Sequence, residues 1–380
     1  MLDNNKLSAG RLAVLYQLPE SWANVRSVWE AARAEQLDVV VIMLPFIHRD
    51  YQWQREVAEA HLKSMDVDYV AWDEFDLEAA KLDAVLYTSP YDETRPEAYR
   101  FANLRQHVRH TSYVPYALDV GDGDLNYFYQ YAQPVITGSS AVFVRSENVR
   151  ALFAKYCPSG CAHVHITGHP RMDSLTDLED FEVDPALTVA IGQRTPVLWN
   201  AHFSFDGDYW STFDQLARAI FDAFLVRPHL ALIFRPHPLL WKKLINLNIF
   251  DQAGVANLKD ELRARGIIID DRADHRHAFA ASSAMISDAS SFLLEYLVTR
   301  KPVLYLCNPH GLGLNDEGKA VVEHYRTARD GADIGAFLDQ IGAADGPLAA
   351  GRQAAIEHFF HGFDGQAGQR VLNVLKGLMA

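Results

Sequence analysis

Two short stretches carry residue types suited to handling a phosphate. In ALIFRPHPLL, an apolar strand-like run ends in Arg235 and His237, each followed by a proline. Proline fixes its own φ and biases the residue before it away from helical geometry, so both side chains are held in extended backbone at the carboxyl edge of a strand. A guanidinium and an imidazole placed there suit a phosphate whose charge changes during a reaction. An Arg and a His capping a neighbouring helix remains the structural alternative. In ISDASSFLLEYLVTRKPVLYL, a strand closing at Ile286 gives way to Ser287, Ser290 and Ser291; residues 292–298 then have helical spacing and 302–306 read as a second strand. Such a β–turn–α–β unit aims the free N–H groups of a helix start beyond the strand ends, and with the serine hydroxyls these make an anion seat. Serine is equally a favoured N-cap. Glu295, one turn into the helix, could hydrogen-bond ribose hydroxyls or face solvent. If the two strand-end loops lie side by side, the expected anion is the phosphate of a nucleotide diphosphate.

ITGHPRMDSL has the same form earlier in the chain, with Gly168 and Pro170 shaping a turn and Arg171 and Asp173 placed to pin a junction between domains or to touch ligand. Near the end, FDGQAGQRVLNVL sets Asp364, Gly365 and Arg370 ahead of a last helix. No metal site is expected, because the histidines are scattered and DRADHRHAF, with His275 and His277, has no partner cluster at ligand spacing. A Walker loop, a GxGxxG fingerprint and a GxSxG elbow are all missing. Cys157, Cys161 and Cys307 are too few and too irregular for a disulfide framework.

The elements that position these residues alternate. RLAVLY, DVVVIML and DAVLYT are each followed by a helix-like segment, among them ETRPEAYRFANLRQ; TSYVPY, AVFVR and VHIT add further strands. After an acidic stretch near residues 175–196 the alternation restarts with PVLWNA, ALIFR, IIID, AMIS and VLYL. Strands alternating with helices imply parallel sheets, which place ligands beyond the carboxyl ends of their strands. The 380 residues divide on this reading into residues 1–190, 191–362 and a closing helix, 363–380. A net charge of −14 argues against wrapping nucleic acid, so a phosphate-bearing ligand has to be met locally. The start lacks a basic region followed by an apolar one, and no apolar run reaches the roughly 18 residues of a membrane span, which predicts a cytoplasmic protein.

Taken in order, TGHPRMD, FRPHP, SDASSFLLEYLVTRKPVLYL and FDGQAGQRV resemble the motifs of the CDP-glycerol:poly(glycerophosphate) glycerophosphotransferase family, the teichoic acid polymerases and primases, over about residues 164–374. The resemblance implies an α/β protein of the GT-B fold, two Rossmann-like domains facing each other across a cleft, with the nucleotide held mainly by the second and a closing helix that packs back toward the first. It implies that His237 lies near the transferred phosphoryl group, that Arg235 stands where members have Lys or Arg, and that Ser290 and Ser291 meet the pyrophosphate. Gly168, Arg171 and Asp173 match the interdomain motif, and Asp364, Gly365 and Arg370 the C-terminal one. Two stretches depart from the family. SYVPYALD, with Pro115 and Tyr116, stands where polymerases carry a His-Gly pair, and NAHFSF replaces the usual Thr-Trp-Arg, which puts His202 on the acceptor side.

A general base would then come from a strand end of the first domain, where His48, Asp92 and Asp119 are candidates and Asp119 lies nearest the missing His-Gly pair. The implied activity is transfer of a glycerol-phosphate, ribitol-phosphate or related group from a CDP-activated donor to a hydroxyl of a cell-surface polysaccharide or teichoic-acid-like acceptor. The alternatives are a glycosyltransferase using a nucleotide sugar such as a UDP-linked one, and an inactive nucleotide-binding subunit of such an assembly. No further cofactor is required. The partners are the activated donor and a polysaccharide or lipid-linked glycan, with peripheral association at the inner face of the membrane left open.

Overall fold

The computed structural model describes residues 10–48, 52–205, 207–343 and 346–380. Thirteen strands form two sheets among these residues. The first holds β1 (Leu12–Tyr16), β2 (Val39–Met43), β3 (Tyr69–Ala71), β4 (Leu82–Tyr87), β5 (Val108–Tyr113), β6 (Ala141–Val144) and β7 (Val164–Ile166) in the order β3-β2-β1-β4-β5-β6-β7. The second holds β8 (Thr195–Asn200), β9 (Leu230–Phe234), β10 (Ile268–Ile269), β11 (Ala284–Ser287), β12 (Val303–Leu306) and β13 (Arg326–Ala328) in the order β10-β9-β8-β11-β12-β13. Every neighbouring pair in both sheets is parallel.

The chain forms two compact units. One comprises the described residues up to 116 with 127–176 and 357–380; the other comprises 117–126 and 177–356. In the first, β1 shows why its sequence is apolar throughout. Leu12, Val14 and Tyr16 enter a cluster with Val28, Ala32, Leu372 and Leu375, while Ala13 and Leu15 enter another with Phe101, Val135 and Phe153. A parallel strand covered on both faces has no polar side to show. In the second unit, the helix Phe213–Leu225 buries Phe213, Leu216, Ile220, Phe221 and Phe224, the spacing of one helical face. That face packs on Trp199 of β8, whose indole stacks on Phe234 of β9 at 4.6 Å between centroids.

Local chemistry alters two expected helices. ETRPEAYRFANLRQ forms two 3-10 turns, Asp92–Thr94 and Glu97–Tyr99, and one short helix, Phe101–Leu104. Pro96 removes a backbone donor in mid-run, which an uninterrupted helix cannot accommodate. FLLEYLVT forms a single α-turn, Phe292–Glu295, that tightens into a 3-10 turn, Tyr296–Thr299, and stops at Arg300 with φ +59°.

The second sheet is doubly wound. From β8 the chain builds outward through β9 and β10, then returns to the other side of β8 with β11 and continues through β12 and β13. The order therefore reverses between β8 and β11, and ligands of such sheets bind beyond the carboxyl ends at this point. The register pairs Asn200 with Ser287, so both strands end level.

Candidate functional site

Asn200, the last residue of β8, ties three strand ends together. Its amide donates to the Arg235 carbonyl at the end of β9 (3.1 Å), and its side-chain oxygen accepts from the Ser290 hydroxyl beyond β11 (2.8 Å). Ser287 Oγ lies 3.2 Å from Ser290 Oγ and donates to the Asp288 carbonyl. The FRPHP and SDASS loops thus lie on either side of the NAHF loop, at the same end of one sheet. Ser291 stands at the start of the Phe292–Glu295 turn but does not cap it, and its hydroxyl has no hydrogen bond to a described residue. One α-turn carries little of a helix macrodipole, so this helix start by itself makes a weak anion seat.

Two histidines occupy the loops beside these serines. His237 Nδ1 accepts the backbone N–H of Leu239 (3.1 Å), and His202 Nδ1 accepts that of Ser204 (3.1 Å). Each ring therefore carries its proton on Nε2 when neutral. The ring centroids are 5.5 Å apart, and Phe203 packs against both, at 4.7 Å from His202 and 4.4 Å from His237. Burial pushes His237 down to about 4, and burial with the neighbouring His237 pushes His202 well below the usual range, so both are neutral at pH 7. Neither Nε2 has a hydrogen-bond partner among the described residues. Sequence reasoning set His202 apart from His237; the parallel pairing of β8 with β9 brings them together.

The loop bearing His202 is held by Asp288, which is completely buried. Its carboxylate accepts the His202 N–H (2.8 Å), the Thr212 N–H (3.0 Å), the Thr212 hydroxyl (2.6 Å) and, more weakly, the Ser211 hydroxyl (3.4 Å). Burial raises its carboxyl to about 7 against the pull of these donors. Asp288 sits inside the SDASS motif yet was not among the expected site residues; an acid between a buried strand and two serines was the available signal.

Two expected ligand contacts are directed elsewhere. The Arg235 guanidinium pairs with the buried Asp270 at 2.7 Å and donates to the Arg272 carbonyl at 2.7 Å, so it anchors the end of β10 rather than projecting toward phosphate. Glu295 is wholly buried, with a carboxylate oxygen 3.1 Å from His275 Nε2, which removes it from reach of a ribose in this conformation. His277 also has a structural role, accepting the Asp184 N–H. Asp119 accepts from Gly121 N–H (3.2 Å), the Asn126 amide (2.9 Å) and the Asn315 amide (2.9 Å), and so holds the 119–126 segment to the start of the helix Asp316–Val322. Among the described residues no group of three or more His, Cys, Asp or Glu could hold a metal ion, and no helix is long and apolar enough to cross a membrane.

The remaining expected residues meet inside the first unit. Gly168 has φ +77°, and a Cβ there would stand 2.9 Å from the His361 carbonyl, so the turn needs glycine. Asp173 accepts the N–H groups of Ala367 (3.0 Å) and Gly368 (2.8 Å), capping the last helix, Ala367–Met379, while burial raises its carboxyl. Arg370 donates to the Thr167 carbonyl (2.7 Å) and grips both oxygens of Asp364 (3.0 Å each). Gly365 takes a left-handed φ of +74° in that same turn. Arg171 donates to Asn24 Oδ1 (2.8 Å), and the Asn24 amide reaches the Tyr116 carbonyl (3.1 Å). Asp92 pairs with Arg95 (2.7 Å) and accepts the Phe101 N–H (2.9 Å), a structural use; His48 stacks on Phe46. Where a His-Gly pair would stand, the Pro115 carbonyl lies 2.9 Å from His169 Nε2, and the Tyr116 hydroxyl accepts from Tyr91 (2.8 Å).

Two doubly wound parallel sheets, each flanked by helices, define a protein of the GT-B class. The chain belongs to the CDP-Glycerol:Poly(glycerophosphate) glycerophosphotransferase family, whose pattern matches residues 137–376. A search of curated proteins returns no match. Among solved structures, the UDP-GlcNAc 2-epimerase from Methanocaldococcus jannaschii in complex with UDP-GlcNAc and UDP is 14% identical over 97% of this chain and 99% of that chain, with a TM-score of 0.66. The UDP-GlcNAc 2-epimerase from Neisseria meningitidis bound to UDP-GlcNAc is 15% identical over 96% and 99%, with a TM-score of 0.63. The wall teichoic acid polymerase TagF soaked with CDPG is 11% identical over 99% and 91%, with a TM-score of 0.58. At these identities the likeness is one of fold.

Proposed function

We propose that the protein transfers a glycerol-phosphate, ribitol-phosphate or related group from a CDP-activated donor to a hydroxyl of a cell-surface polysaccharide or teichoic-acid-like acceptor. One observation carries this reading: in a chain of this family, two imidazole Nε2 groups with no partner among the described residues lie in the loops next to that of Ser290 and Ser291, at the carboxyl ends of β8, β9 and β11. The acceptor hydroxyl oxygen attacks the phosphorus of the transferred group as its proton passes to water, the bond from that phosphorus to the bridging oxygen breaks, and CMP leaves. Negative charge grows on the leaving phosphate, and fixed donors aimed at it lower the barrier. His237 supplies such a donor through Nε2–H, and the Ser291 hydroxyl supplies a second. Arg235 is a positioning residue in this reading, since its hydrogen bonds hold the end of β10 beside β9, and Asp119 serves to hold the 119–126 segment to the helix Asp316–Val322. The acceptor and any association with the inner face of the membrane belong to the same proposal.

A second reading, a glycosyltransferase using a nucleotide sugar, is favoured by Asn200-Ala201-His202 standing where the family resemblance calls for Thr-Trp-Arg. Incubation with CDP-glycerol, CDP-ribitol and UDP-GlcNAc in the presence of glycan acceptors separates the two: release of CMP supports the first, release of UDP alone supports the second. Binding of nucleotide without any turnover would point to a non-enzymatic subunit. His237→Ala is expected to lower turnover about a hundredfold or more, in line with loss of one fixed donor, with little change in melting temperature. Full activity in that variant would remove His237 from the chemistry.

A further inference from the structure

Three histidines in this chain share one local device. In His169, His202 and His237, Nδ1 accepts the backbone N–H two residues onward. This fixes the ring and leaves the proton on Nε2, facing away from the anchoring backbone. At His169 the device is complete, because Nε2 lies 2.9 Å from the Pro115 carbonyl. At His202 and His237, both half-buried, the matching edge meets no partner among the described residues and is left open to a ligand acceptor. Those two rings are neighbours, 5.5 Å apart between centroids, at the ends of the adjacent strands β8 and β9.

We propose that His202 is a second phosphate donor, its Nε2–H and that of His237 together binding the diphosphate of the nucleotide donor. The inference rests on the reading of this site as a donor-phosphate seat. It also assigns the seat an unusual electrostatic character. The nearby guanidinium, Arg235, is spent on Asp270, and the acid that adjoins the pair, Asp288, takes the His202 backbone N–H and is itself raised to about 7 by burial. Phe203, Ser204, Trp210 and Leu239, which contact the rings or their anchors, do not titrate near neutrality. Burial, joined at His202 by the other ring, keeps both imidazoles neutral in the free protein. A bound dianion reverses this balance, since a nearby opposite charge favours the protonated form. The seat is therefore neutral when empty and draws a proton from the medium as the anion arrives.

His202→Asn and His202→Gln separate this role from a structural one. The Asn carbonyl can still accept the Ser204 N–H but offers nothing at the Nε2 position; the Gln amide restores a donor there without a titratable ring. Calorimetric titration with CDP, inorganic pyrophosphate and cytidine, in buffers of different ionisation enthalpy between pH 6 and 7.5, reads affinity and proton uptake together. Wild type is expected to bind CDP more tightly as pH falls, with proton uptake. H202N is expected to bind CDP and pyrophosphate about ten- to a hundredfold more weakly, as for loss of a hydrogen bond to a charged group, with cytidine affinity unchanged and proton uptake reduced. H202Q should regain part of the affinity and none of the lost uptake. An H202N protein that matches wild type in affinity and uptake overturns the inference while leaving the donor site intact. A wild-type protein that binds neither CDP, UDP nor pyrophosphate overturns the nucleotide reading itself, and the inference with it.

Discussion

At the residue scale, the titratable groups of the second unit's switch point pull stability in opposite directions with pH. Burial raises Asp288 from the usual carboxylate range to about 7, so the folded state keeps a proton that the unfolded chain gives up. Its contribution is present at low pH and is lost as pH rises from about 4 through about 7. His237 behaves in the opposite sense. Burial lowers it from 6.5 to about 4, so the unfolded chain takes up a proton that the folded protein refuses. That contribution is complete above pH 6.5 and is lost as pH falls through about 4. His237→Asn, whose side-chain oxygen can still accept the Leu239 N–H, removes the histidine's part alone. The stability of wild type relative to H237N, from urea denaturation at a series of pH values, is expected to fall by at most about 3 kcal/mol between pH 7 and pH 4. A difference that stays constant over this window would mean that His237 titrates normally in the folded protein.

At the element scale, the last helix shows how two separate motifs make one joint. Its first N–H groups have no partner within the helix, and Asp173, from the short turn Pro170–Asp173, accepts two of them while the helix buries Val371, Leu372 and Leu375 in the first unit's core. Asp173→Ala is expected to cost about 1–2 kcal/mol, the usual loss for a capping residue, and to raise amide exchange in residues 367–379. Unchanged exchange there would contradict the cap. The turn–helix pairing was present in the sequence only as two motifs in order; their contact is non-local and needed coordinates. The strands were largely legible, because both faces of a buried parallel strand demand an unbroken apolar run, as in LAVLY and LALIF. β3 and β13 were not, being three-residue edge strands of which β13 reads Arg-Thr-Ala. The site was legible in part for the same reason. The placement of His237, Ser290 and Ser291 follows from which strands end beside them. The diversion of Arg235 to Asp270 and of Glu295 to His275 depends on partners tens of residues away.

For the whole molecule, the apolar clusters divide as the sheets do. Trp199, Phe221 and Phe234 lie in one cluster, whereas the two faces of the first sheet gather Leu12, Val14 and Leu372 on one side and Leu15, Phe101 and Phe153 on the other. Separate cores are separate sources of cooperativity, and a two-state description often fails for such chains. The capping contact of Asp173 belongs to the first unit, and the candidate phosphate seat belongs wholly to the second. Two perturbations should therefore act on different parts of the melt. A ligand that binds only the folded state adds about 2.7 kcal/mol at one hundred times its Kd. In differential scanning calorimetry, CDP is expected to raise the transition of the second unit, D173A to lower that of the first, and the two shifts to be independent when combined. If D173A and CDP instead move one and the same transition, the units melt together, and the stability of the phosphate seat depends on a helix cap in the other unit.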